Sequence, residues 1–185
     1  MGKRLTKIYT RTGDDGCTGM ADGSRVAKDS TVIQAIGEVD ELNCCVGLVL
    51  THPLPEEVRQ VLVEVQHQLF DLGGELSYPP YSKIDQEKVR WLETRLDQFN
   101  EPLPPLNEFI LPGGTPATAT CHLARAVCRR AERRLVSWQR KSPGLNRQLL
   151  IYMNRLSDLL FVLCRVLANF EGQSETPWRS DKLSK

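Results

Sequence analysis

The chain has 185 residues, 41% of them hydrophobic and 25% charged, with a formal net charge of +1. That balance describes one soluble globular domain, large enough to build a core without disulfide or metal staples. It excludes a globally basic nucleic-acid binder, and the longest apolar run, Leu159 to Cys164, is too short to cross a bilayer.

The first 28 residues are polar, basic and glycine-rich, with no helical period. Within them, Thr10 to Gly19 carries Gly13, Gly16 and Gly19 at three-residue spacing, interleaved with Thr10, Thr12 and Thr18. Glycines let successive backbone N–H groups turn toward one point, and such nests bind anions. Hydroxyls and Arg11 add donors suited to phosphate oxygens. No Gly-Lys-Ser/Thr closes the loop, so it is not a Walker A sequence. An exposed Gly/Asp turn is the plainer alternative for this segment alone. The opening Met-Gly-Lys-Arg-Leu-Thr fits a myristoylation pattern, but nothing else in the chain favours a membrane. The start has no secretory apolar region, so the expected location is cytoplasmic.

From Val32 to Leu50, apolar residues recur at helical spacing, and Thr51-His-Pro-Leu-Pro55 ends the run. Glu56 to Leu76 resumes the pattern behind Pro55, a residue suited to a helix start. Tyr78-Pro-Pro-Tyr81 reads as a loop. Asp85 caps a third helix carrying Val89, Leu92 and Leu96. Asn100 to Pro116, with five prolines and a Gly-Gly pair, is a long connection. A fourth helix runs from Thr115-Pro116 to about Lys141, and Ser142-Pro-Gly144 stops it. The fifth carries Leu149, Met153, Leu156, Leu160, Cys164 and Leu167 on one stripe. With no convincing strand alternation, the expected fold is all-α: a five-helix up-down bundle over 29–172, an extended phosphate-binding segment over 1–28, and a tail over 173–185.

None of the six cysteines forms a CxxC pair, and the three histidines do not join them at zinc-ligand spacing. No metal ligands are expected from the protein. Reduced thiols fit the expected cytoplasm, with Cys121 and Cys128 as small core side chains.

Charge concentrates on the fourth helix. Arg125, Arg129, Arg130, Arg133, Arg134, Arg140 and Lys141 face a single acid, Glu132. Arg125, Arg129 and Arg133 share a face, and guanidinium suits bidentate phosphate contacts. On the fifth helix Asn154 and Asp158 are four apart. On the first, Glu38, Asp40, Glu41 and Asn43 crowd two turns, and an acid there is a natural partner for a fourth-helix arginine. Taken singly these are salt-bridge residues. Together with the glycine loop they supply parts of an anion pocket.

Five segments carry a resemblance: Thr10-Arg-Thr-Gly-Asp14, Gly37-Glu-Val-Asp-Glu-Leu-Asn43, Phe109-Ile-Leu-Pro-Gly-Gly114, Arg125-Ala-Val-Cys-Arg-Arg-Ala-Glu-Arg133 and Asn154-Arg-Leu-Ser-Asp-Leu-Leu-Phe161. In this order, over nearly the whole chain from Lys7 to about Glu171, they resemble the PduO-type ATP:cob(I)alamin adenosyltransferases. The resemblance implies a homotrimer with active sites between subunits. It implies that Thr10, Arg11, Thr12, Gly13, Thr18, Gly19 and Lys28 hold the ATP phosphates. Arg129, Arg130, Glu132, Arg133 and Asn154 complete the nucleotide site from a neighbouring subunit, and Mg²⁺ accompanies the triphosphate. Asp40 and Arg125 match a salt bridge shaping the interface and corrinoid site. Phe109 matches the residue that packs under the corrin and excludes its lower ligand. A cobalt reductase and an adenosylcobalamin-dependent enzyme are implied partners. Cys44, where many relatives have serine, and the Tyr78–Tyr81 insertion depart from the pattern without touching a motif position. A non-catalytic trimeric adaptor or sensor that binds nucleotide or corrinoid is the alternative reading. A nucleic-acid role is disfavoured because the fourth helix lacks interleaved aromatics.

Overall fold

The computed structural model describes residues 9–142 and 144–179. The Met1–Thr6 pattern, Lys7, Pro143 and the last residues of the tail lie outside them. A short antiparallel ribbon of β1 (Cys17–Gly19) and β2 (Arg25–Ala27) precedes five helices: α1 (Thr31–Leu50), α2 (Glu56–Ser77), α3 (Gln86–Asn100), α4 (Pro116–Gln139) and α5 (Arg147–Phe170). The helices match the periodicity of the sequence. The ribbon was not legible there, because three-residue strands are too short to show alternation.

Local chemistry sets the helix starts. Asp85 accepts from the Lys88 amide, Thr115 from Thr118 ahead of Pro116, and Asn146 from Gln148. Glu56 and Glu57 place negative charge at the first turn of α2.

Cross-helix bonds fix the packing. Asn43 and Gln66 exchange side-chain-to-carbonyl hydrogen bonds at 3.2 Å, and Arg59 reaches the Leu50 carbonyl, so α1 and α2 are antiparallel. The thiols of Cys121 and Cys128 donate to the Leu160 and Met153 carbonyls, which makes α4 and α5 antiparallel as well. Both cysteines are fully buried, as expected of core residues, and burial pushes the Cys128 thiol up. α4 packs on both α1 and α5. α3 lies beside α5 and runs parallel to it: Ile84 meets Asn146, and Glu93 meets Arg155. α3 thus packs on α5 and not on α4, the next helix in the chain. This is why residues 101–115 form a long connection across the bundle.

The core gathers Leu42, Leu62, Leu69, Leu72, Leu135, Leu149, Met153, Leu156 and Leu160, each no more than 1% exposed. Burying one such side chain contributes roughly 1.5–3 kcal/mol. The expected stripe of α5 is therefore the centre of the bundle.

The end of α5 decides where the chain goes next. Gly172 has φ +66°, its amide donates to Asn169 O, and the Gln173 amide reaches back to Ala168 O. This left-handed helix stop favours glycine. It turns residues 173–178 back along the connection, where Leu111 N donates to Thr176 O and Trp178 N to Phe109 O.

Candidate active site

The glycine loop leads into the β1–β2 ribbon. Arg25 donates to Thr12 O and to Asp15, and the Thr10 and Thr12 hydroxyls bond each other at 2.8 Å. A Cβ on Gly13 would lie 3.1 Å from both Cys17 O and Lys28 Nζ, so any side chain there crowds the lysine ammonium and the Cys17 carbonyl. The amides of Thr12, Gly13 and Asp14 donate to no partner among the described residues. A cation and unspent amides therefore share one short stretch, as an anion site requires. Gly13 and Lys28 are brought together here, with Thr10 and Thr12 joined beside them, while the Arg11 guanidinium lies over the Tyr9 ring at 5.6 Å. Thr18 and Gly19 sit farther along the ribbon, Gly19 three residues and about 10 Å from the Gly16–Lys28 level. The Cys17 amide and Arg25 hold the Asp15 carboxyl below its usual value.

The arginines of α4 separate into two groups. Arg130 turns to α1 and pairs with Glu38 and Glu41, while Arg134 Nε lies 3.7 Å from Glu38. These carboxylates raise the Arg130 pKa further above its ordinary value. Arg130, expected at a nucleotide, thus has its guanidinium paired between α4 and α1. Arg125 and Arg129 instead line a cavity of about 540 Å³ with Phe109, Asp158, Phe161 and Arg165. Neither has a carboxylate partner among the described residues, and Arg125 Nε is buried without any hydrogen bond. Beside them Asn154 Nδ2 donates to Glu132 Oε1 at 3.1 Å, and Arg133 Nη1 to Arg129 O at 3.0 Å. The structure thus joins Asn154 to Glu132 across two helices, with Arg129 and Arg133 on the same stretch of α4.

The Asp40–Arg125 pair is not formed within this chain. Glu38 and Glu41, three apart, occupy the face of α1 that meets α4, and Asp40 points away from it. Asp40 is exposed and unpaired among the described residues.

Phe109 is 77% exposed at the rim of the arginine cavity. Its ring meets Trp178 edge-on, with centroids 6.4 Å apart. Trp178, Glu175 and Arg165 were missed in the sequence. Only Arg165 left a signal there: a lone charge inside the apolar run of α5.

No hydrogen bond or ion pair joins residues 10–28 to α4 among the described residues. The glycine loop and the arginines of α4 face different surroundings within one chain.

Comparisons with known proteins converge on this pattern. The cobalamin adenosyltransferase family model matches residues 8–167. The cobalamin adenosyltransferase of Cupriavidus metallidurans is 54% identical over 185 residues, covering 100% of both chains. The corrinoid adenosyltransferase MMAB of Homo sapiens is 36% identical over 93% of this chain and 73% of its own. A variant of the PduO-type ATP:corrinoid adenosyltransferase from Lactobacillus reuteri, complexed with cobalamin and ATP, superposes with TM-score 0.87 at 36% identity, covering 94% of this chain and 100% of the other. With its motifs, bundle and match all in register, the chain belongs to the cobalamin adenosyltransferase family.

Proposed function

We propose that this protein transfers the 5′-deoxyadenosyl group of ATP to the cobalt of cob(I)alamin. The cobalt electron pair attacks C5′ and forms the cobalt–carbon bond. The C5′–O bond breaks, and its electron pair leaves on triphosphate. The corrinoid substrate supplies the reactive metal; the protein supplies position and charge. Arg129, Arg133, Lys28 and the Thr12–Asp14 amides stabilise charge on the departing triphosphate. Asn154, held by Glu132, positions the nucleotide. The observation that carries this reading is the cavity itself: two uncompensated guanidinium groups, Arg125 and Arg129, beside an exposed phenyl ring. Phe109 takes the lower face of the corrin. An apolar ring there excludes an axial ligand, and axial ligation is a main control of metal potential.

A homotrimer unites the two halves of the site, because the loop of one chain and α4 of the next would then face one triphosphate. Unpaired Asp40 and Arg125 would meet across the same interface. The α1–α4 register set by Glu41 and Arg130 places Leu48 level with Leu123, and these are 51% and 52% exposed. Such an apolar strip suits a subunit contact. Among the described residues no group of three or more His, Cys, Asp or Glu is placed to hold a metal. Mg²⁺ would accompany the triphosphate and bind its phosphate oxygens. Among the described residues no helix is long and apolar enough to cross a membrane; a cytoplasmic location, with a cobalt reductase and an adenosylcobalamin-dependent enzyme as partners, completes the reading.

The test mixes protein, ATP, Mg²⁺ and chemically reduced cobalamin, and follows both the corrin spectrum and triphosphate. Adenosylcobalamin should form with equimolar triphosphate. Nucleotide binding without triphosphate release would instead identify an adaptor or sensor. Sedimentation at several protein concentrations tests the trimer; a monomer throughout would refute it.

A further inference from the structure

We propose that Arg165 is a positioning residue for Phe109, acting through Glu175 and the strap of residues 173–178. The proposal rests on the reading that Phe109 faces the corrin.

Phe109 lies on an irregular connection and is largely exposed, so its own packing cannot fix it. Its backbone is held by the strap: Trp178 N donates to Phe109 O at 2.6 Å, and Leu111 N to Thr176 O at 2.8 Å, with Ile110 opposite Pro177. After the left-handed turn at Gly172 the strap has left the helix, and something must tie it back to α5. Arg165 does so from the middle of α5, where it is only 4% exposed. Its Nε donates to Glu175 Oε1 at 2.6 Å, and its Nη2 donates to Pro104 O at 2.7 Å. One planar, rigid guanidinium thus holds both the connection that carries Phe109, through Pro104, and the strap paired with it, through Glu175.

The energetics favour a purpose beyond stability. A buried ion pair offsets its own desolvation only partly, and an apolar pair of similar volume is often as stable. What the charged pair adds is direction: two strands are fixed to one helix, at the wall shared by the Phe109 cavity and the cavity under the strap. Supporting contacts of this kind hold a reacting geometry to fractions of an ångström.

The effect should be specific to the oxidation state of the cobalt. If Phe109 excludes a lower ligand, its placement matters when cobalt enters as cob(II)alamin and must take one electron on the protein from an added reduced flavin, which is thereby oxidised. It matters far less when cob(I)alamin is supplied ready-made. The experiment measures turnover of Glu175→Ala, Arg165→Gln, Phe109→Ala and the Glu175→Ala/Phe109→Ala double variant by both routes, together with KM for ATP. We expect Glu175→Ala to lose about tenfold or more from cob(II)alamin, while the pre-reduced route and the KM for ATP stay within about threefold. The double variant should be no slower than Phe109→Ala alone, because residues acting through one another are not additive. Arg165→Gln should follow Glu175→Ala; if it fails to fold, Glu175→Ala still decides. Wild-type turnover from cob(II)alamin in Glu175→Ala, equal losses by both routes, or a multiplicative loss in the double variant overturns the proposal. An intact cob(II)alamin route in Phe109→Ala removes the reading of Phe109 and this proposal with it. A damaged Phe109→Ala beside an intact Glu175→Ala removes the proposal alone.

Discussion

Asn154 donates its side-chain amide to Glu132 at 3.1 Å across the α4–α5 seam, one turn from the uncompensated guanidinium of Arg129. The carboxylate fixes the amide, so Asn154 presents its remaining hydrogen-bonding groups in a set direction. Asn154→Ala and Arg129→Ala should each raise the apparent ATP requirement and lower turnover, by about tenfold or more, since each removes a hydrogen-bonding or charged group worth 1.5–3 kcal/mol. Isothermal calorimetry checks this. Unchanged ATP affinity in both variants would refute the nucleotide assignment.

Arg130 should behave differently from its neighbour. Its guanidinium is already spent on Glu38 and Glu41. Arg130→Ala should leave ATP affinity within about twofold while lowering the melting temperature slightly, and added salt should shrink the deficit because the pair is solvent-screened. A large loss of ATP binding would show that Arg130 leaves α1 to meet nucleotide.

Glu75 is 1% exposed and accepts from Lys83 N at 2.9 Å, Ile84 N at 3.0 Å and Asn146 Nδ2 at 2.7 Å. It ties the end of α2 to the entry of α3 and to the cap of α5. Glu75→Ala strands three donors and should cost about 3–5 kcal/mol. Glu75→Gln keeps an acceptor for the amides but turns a donor toward Asn146, at about 1–2 kcal/mol. Urea midpoints at constant m-value measure both; equal midpoints for all three proteins would contradict the role.

His122 is buried on α4, and its Nδ1 has no partner. Burial, reinforced by Arg125 and opposed by Glu175, holds it below the ordinary value of 6.5. Cys164 of α5 lines the same small cavity. Below pH 6.5 the unfolded chain takes up the proton more readily than the fold does. The stabilising share of a neutral His122 is therefore complete above that pH and is lost as pH falls. The melting temperature of wild type should exceed that of His122→Asn near pH 7, with the gap closing toward about pH 5. A gap that widens on acidification would show that the folded state favours the charged ring.

The five helices, their starts at Asp85 and Thr115, and the apolar stripe of α5 were determined by sequence alone, because helical period and capping are local properties. So was the list of motif residues from Thr10 to Asn154. The tertiary structure decided which of them meet. Glu38 and Glu41, rather than Asp40, face α4 because of the rotation of α1 against it. Arg130 is consumed inside the chain while Arg125 and Arg129 stay unpaired, though all three are the same residue type on one helix. The link from Arg165 through Glu175 to Phe109 depends on a strap folding back after Gly172. No periodicity encodes a contact between residues brought together only when two extended segments pair.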